Sequence, residues 1–135
     1  MSNNFEGGLG FQLRYKTTNV APQMTYRIGA CGGSFTTPNG ILTSPSYPRN
    51  YPSNADCVHT ILGPAATGIL LSFLSMDIKG YSWDCGSEDY LEIRDGPSEN
   101  SPLLEKLCGN EIPSPIQSSH NQVWMRYQKI DNKIT

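Results

Sequence analysis

One short stretch limits the fold of this chain more than any other: Asp89-Tyr90-Leu91-Glu92-Ile93-Arg94-Asp95-Gly96. Leu91 and Ile93 fall on one face, Glu92 and Arg94 on the other. That alternation is the period of a half-buried strand. Asp95-Gly96 then supplies the backbone freedom that a tight turn needs. Asp89 stands at the strand entrance, where a carboxylate stays wet or takes a cation.

The rest of the chain repeats the pattern. Residues 10–16 alternate, with Phe11, Leu13 and Tyr15 on the face expected to be buried. Residues 24–28, 41–44, 57–62, 103–108 and 122–127 read as further strands, the last with Val123, Met125 and Tyr127 sharing a face. Pro38-Asn39-Gly40 signals a turn, and the prolines at 45, 48, 52, 113 and 115 exclude helix around them. Residues 68–78 form the longest apolar run. Ile69, Leu71 and Phe73 hold one parity, and Leu70, Leu74, Met76 and Ile78 the other, which predicts a strand buried on both faces in the middle of a sheet. Tyr47 and Tyr51 are expected to pack over the sandwich edge. His59 has no second ligand at metal spacing and reads as a packed core residue.

Length and charge narrow the function. At 135 residues the chain is one domain, or one domain and a tail. A net charge of -2 leaves no basic footprint for nucleic acid. No apolar run approaches the roughly 18 residues that a membrane span needs. Four cysteines, even in number and widely spaced without a Cys-x-x-Cys, read as disulfides rather than a zinc site. They allow several connectivities, among which spacing does not choose. There is no Gly-x-Ser-x-Gly, His-Glu-x-x-His or phosphate loop. His59 and His120 lie outside any catalytic motif, and Glu92 sits beside Arg94 on a strand face, so no enzyme is expected.

The stretch Cys85-x-x-x-Asp89-Tyr90-Leu91-Glu92-Ile93-Arg94-Asp95-Gly96 resembles the central signature of CUB domains. Cys31-Gly32-Gly33, the Ser44-Pro45-Ser46-Tyr47-Pro48-Arg49-Asn50-Tyr51-Pro52 block, Cys57, Leu107-Cys108-Gly109 and Val123-Trp124-Met125-Arg126-Tyr127 extend the likeness in the family's order. It implies an all-β, jelly-roll-like antiparallel β-sandwich with disulfides Cys31–Cys57 and Cys85–Cys108. His59 stands where the family usually has an aromatic, often Trp. The module style is similar to the arrays of cubilin-like endocytic receptors, and CUB domains also accompany tolloid-like and complement proteases.

The resemblance also divides the chain. Gly10-Phe11-x-x-x-Tyr15 resembles the last strand of a CUB domain, so residues 1–16 are expected to be the final strand of a preceding one. Residues 17–30 are then a linker, and residues 31–135 a CUB domain lacking its own last strand. The 10–16 strand is expected to fill that gap, in the same chain or from a neighbour as a strand-swapped dimer. The N-terminus shows no signal peptide. The expected setting is nevertheless extracellular, as an excised unit of a secreted or cell-surface array.

CUB domains often hold one Ca²⁺ on three acidic ligands, a hard cation on carboxylate oxygens. Asp89 matches one ligand position and Asp131 another. Lys79 stands at the third, where the family has Glu and where an ammonium opposes a cation and can pair with Asp89 instead. Asp84 and Glu88 are the available substitutes. In such modules the ordered acids receive a Lys or Arg from a protein ligand. The implied ligand-binding end therefore comprises Tyr81, Trp83, Asp89 and Asp131.

Overall fold

The computed structural model describes residues 10–17, 24–45, 47, 56–65, 67–78, 85 and 89–128. Among them run ten strands and no helix: β1 Gly10–Lys16, β2 Met24–Gly29, β3 Gly33–Phe35, β4 Asn39–Pro45, β5 Asp56–Leu62, β6 Leu70–Asp77, β7 Tyr90–Arg94, β8 Leu103–Leu107, β9 Ile116–Gln117 and β10 Gln122–Gln128. They form two five-stranded sheets. The first has the order β2-β4-β1-β6-β9 and the second β3-β5-β10-β7-β8. Pairing is antiparallel except for β2 with β4 and β3 with β5. Within the stretch read as linker, residues 24–29 are thus the edge strand β2.

Alternation decides which side chains meet between the sheets. In the second sheet, Met125 lies opposite both His59 and Ile93, and Tyr127 opposite both Cys57 and Leu91. These residues are buried, as are Phe11, Leu13 and Tyr15 of β1. The Phe11 ring meets Tyr127 edge-on at 5.7 Å, and Tyr15 meets Phe35 at 5.8 Å, so aromatic contacts join the two layers. Burying each such side chain contributes about 1.5–3 kcal/mol.

The apolar run of β6 works differently from its reading as a two-faced strand. Gln12 pairs with Ser75 but Leu13 with Phe73, so Leu74 is an extra residue in the ladder. This bulge switches the phase of the strand. Ile69, Leu71 and Phe73 before it, and Met76 and Ile78 after it, are all buried, whereas Leu74 is 47% exposed. One apolar face with a change of step, rather than two apolar faces, accounts for the pattern.

Both disulfides form as Cys31–Cys57 and Cys85–Cys108. Cys57 lies in β5 and Cys108 just past β8, both in the second sheet; Cys31 precedes β3 and Cys85 precedes β7 of the same sheet. The strands of the first sheet contain no cysteine. The middle one is β1, bonded on one side to β4 and on the other to β6.

Candidate functional site

Strand registers gather the acidic and disulfide-bonded positions at one end of the sandwich. Asp77 closes β6 opposite Gly10, and Ile78 then bridges to Gly109 through two backbone bonds of 2.9 and 2.7 Å. Gly109 follows the Cys85–Cys108 disulfide, and β8 reaches it from Leu107, which lies opposite Leu91 at the start of β7. Asp89 is the residue just before β7 and is 1% exposed. Asp77, Asp89 and the second disulfide therefore share one end, where a cross-sheet bridge ties the two layers. Neither carboxylate is without a partner.

The rim beside them is polar. Gln128 at the end of β10 lies opposite Asp56 and Tyr90. The Tyr90 hydroxyl donates to Gln128 Oε1 at 2.6 Å, and Lys106 Nζ sits 4.3 Å from the centre of the Tyr90 ring. Burial pushes the Tyr90 phenol up, and nearby Glu92 adds to this. Arg126 grips Asp56 through two bonds of 2.8 and 2.9 Å, which lowers the Asp56 carboxyl and raises the guanidinium. The pair is largely exposed, so water and salt screen it and it adds little to stability. Glu92 pairs with Arg94, a surface ion pair on a strand face. Tyr47 reaches the same end of the first sheet, its hydroxyl 3.0 Å from Ser75 Oγ, and so packs on β6.

Of the positions expected to bind ligand or metal, Asp89 is placed as described. Lys79, Tyr81, Trp83, Asp84, Glu88 and Asp131 lie outside the described residues, as does Tyr51. By chain connectivity, residues 79–84 follow on Ile78, residues 86–88 join Cys85 to Asp89, and residues 129–135 follow on Gln128. Among the described residues no group of three His, Cys, Asp or Glu is placed to hold a metal ion. Ca²⁺ takes six to eight oxygens, and Asp77 and Asp89 offer two carboxylates at this end, so the described residues alone do not make a calcium site.

The opposite end is closed by its own backbone. The Asp95 carboxylate accepts from the amides of Ser119 and His120 at 3.1–3.3 Å and stands 3.4 Å from His120 Nδ1. Burial would raise this carboxyl, but the bonds from Ser119 and His120 outweigh it and hold it below its ordinary 3.8. Gly63 N–H donates to Asn121 O at 2.8 Å beside it. In the sequence Asp95 reads as a turn residue that, with Glu88 and Glu92, could imitate a carboxylate pair. Its latch on the 118–120 loop has no local signal, since the partners are 24 and 25 residues away.

Residues 31–135 match the family model described as CUB domain. The chain is 31% identical to human tolloid-like protein 1, over 98% of its own length and 13% of that protein. It is 34% identical to cubilin of Rattus norvegicus, over 94% of its length and 3% of that protein. It thus spans a small fraction of the relatives it matches. Among solved structures, the CUB1-EGF-CUB2 domain of human MASP-1/3 superimposes with a TM-score of 0.66 at 27% identity, covering 79% of this chain and 39% of that one.

Proposed function

Because the chain belongs to the CUB domain family, whose members are extracellular protein-interaction modules, we propose that it is one unit of a cubilin-like array that takes protein ligands through the end bearing Asp89. The supporting observation is the floor of that end, where the buried Asp89, the Cys85–Cys108 disulfide and the Ile78–Gly109 cross-sheet bridge come together. Two disulfides suit an oxidising, extracellular compartment. No helix among the described residues is long and apolar enough to cross a membrane.

In this reading Tyr81 and Trp83 supply aromatic contact, Asp89 and Asp131 supply charge, and a Lys or Arg of the ligand meets that charge. Asp89, Asp131 and Asp77 are the residues that would hold Ca²⁺, which would supply positive charge to balance their carboxylates. The Lys79 ammonium opposes that binding. A thermal melt of the oxidised protein in millimolar calcium, then in chelator, tests it. The expected result is a rise of several degrees that Asp89→Asn abolishes, since a ligand of the folded state stabilises it. Superimposable curves would remove calcium from the reading. Trp83→Ala is then expected to weaken capture of a basic protein ligand without lowering the melting temperature.

A second reading is favoured by β1, a central strand supplied from before the first cysteine. Exchange of that strand between copies would make the module a self-assembling unit.

A further inference from the structure

The middle of the first sheet is built as a receptor. β1 bonds to β4 along residues 12–16 and to β6 along residues 10–16. Without it, β4 and β6 would face each other as two open edges about 10 Å apart, a gap one strand wide. The walls of that gap carry side-chain features matched to particular residues. Phe11, Leu13 and Tyr15 are each 0% exposed. Ser44 Oγ accepts the Phe11 amide at 3.0 Å. The Tyr15 hydroxyl donates to Thr37 O at 3.0 Å and lies 3.1 Å from Thr37 Oγ1, which Thr25 Oγ1 holds at 2.6 Å. Position 40 is glycine because the Tyr15 ring occupies the space of a side chain. A Cβ there would collide with that ring.

Nothing covalent within the sheet keeps β1 in this groove. Neither disulfide includes one of its residues. Its tether is residues 17–23. Lys16 and Met24 both lie opposite Asn39, on either side of β4, so the ends of the tether are about 10 Å apart. Seven residues reach roughly 23 Å when extended. The connection is therefore long enough not to fix the strand by itself, and the fit of the strand sets its place.

We infer that the groove between β4 and β6 is a strand-acceptor site, selective for a segment of the form Gly-Phe-x-Leu-x-Tyr, that β1 of a second copy of this chain can fill. The inference deepens the self-assembly reading and is independent of the ligand-binding end. Backbone edges on both sides give affinity, and the Phe, Leu and Tyr seats give selectivity, as in strand addition elsewhere. The occupant is central and buried, so replacement follows its release and does not take place at a standing surface.

The test keeps the full chain. A site-specific protease sequence replaces part of residues 18–23, the oxidised protein is folded, and the tether is then cut. A labelled peptide of residues 8–17 is added in excess, beside the same peptide carrying Tyr15→Ala or Leu13→Asp. The expected result is capture of the native peptide with release of β1, and at least roughly tenfold less capture of either altered peptide, because each leaves a core seat empty or buries a charge. If cutting unfolds the protein, the native peptide is expected to restore it. Absence of capture, equal capture of altered peptides, or failure of the peptide to restore a cut and unfolded chain would overturn the inference. Refolding the uncut chain at high concentration separates the readings. A dimer supports both, whereas a monomer alongside selective capture refutes self-assembly and leaves the acceptor site standing.

Discussion

The two sheets of this molecule are secured by different means. Each disulfide has one partner on or beside a strand of the second sheet, Cys57 in β5 and Cys108 just past β8, while Cys31 lies between β2 and β3 and Cys85 ahead of β7. No strand of the first sheet contains a cysteine. That sheet is held at its centre by β1, through three fully buried apolar side chains and a set of hydroxyls from Ser44, Thr37 and Thr25. One sheet therefore depends on oxidation, and the other on occupancy of a single groove. A module of this kind can lose its fold by two separate routes.

The largest effect is expected on the groove side. Phe11→Ala removes a ring that touches Phe73 at 6.1 Å and Tyr127 at 5.7 Å, and so loosens the contact between layers as well as the seat of β1. A loss of about 3–5 kcal/mol in urea unfolding is expected. Equal stability of variant and parent would show that β1 does not occupy the groove in solution. Next comes the stapled side. Replacing Cys31 and Cys57 together by Ser is expected to cost roughly 3 kcal/mol, since it frees a loop in the unfolded chain. The two changes are far apart in kind but joined by the Phe11–Tyr127 contact, and Tyr127 lies opposite Cys57. A double variant whose loss differs from the sum of the singles by more than about 0.5 kcal/mol would show that the sheets fail as one.

The second sheet was also the more legible in sequence. Residues 89–95 alternate, as do 122–127 apart from the buried Trp124, and their strands β7 and β10 lie side by side with Leu91, Ile93, Val123, Met125 and Tyr127 inward as expected. β3 and β9 are three and two residues long, too short to carry a period. In β6 the alternation misled, because Leu74 is spliced into the ladder and reverses the parity of everything after it. A bulge is a property of two strands, and β6 alone does not reveal it. The same holds for the groove. Ser44, Thr37 and Gly40 carry no sign in sequence of the partner that reaches them from β1, 22 to 33 residues away. At the candidate site, the place of Asp89 before an alternating strand was legible but its burial was not: it is 1% exposed rather than wet. The approach of Asp77 to the same end needed the Ile78–Gly109 bridge to be seen.

The smallest of these effects concerns His59, and it probes the second sheet from within. His59 is 0% exposed, and neither ring nitrogen has a hydrogen-bond partner among the described residues. Its ring lies 6.1 Å from that of Phe35, on which the Arg27 guanidinium rests at 5.1 Å. Burial lowers its pKa from 6.5 to about 4, and the facing Arg27 charge acts in the same direction. The unfolded chain therefore takes up a proton at this position before the folded one does. The stability this residue contributes is complete above pH 6.5, falls as pH drops towards 4, and is fully lost below that. Within that window each step of one pH costs about 1.4 kcal/mol, so the loss between pH 6.5 and pH 5 is about 2 kcal/mol. The carboxylates of Asp56 and Asp95 are held below 3.8, so their own losses come at lower pH and leave this window clear. Urea unfolding across pH 4 to 7 should show the slope in the parent and a flatter line in His59→Phe. That variant puts an apolar ring where two ring nitrogens now lack partners, and should be no less stable at pH 7. An unchanged slope in His59→Phe would place the proton uptake elsewhere. A sharp loss of stability in that variant at pH 7 would mean that the imidazole has a polar partner after all.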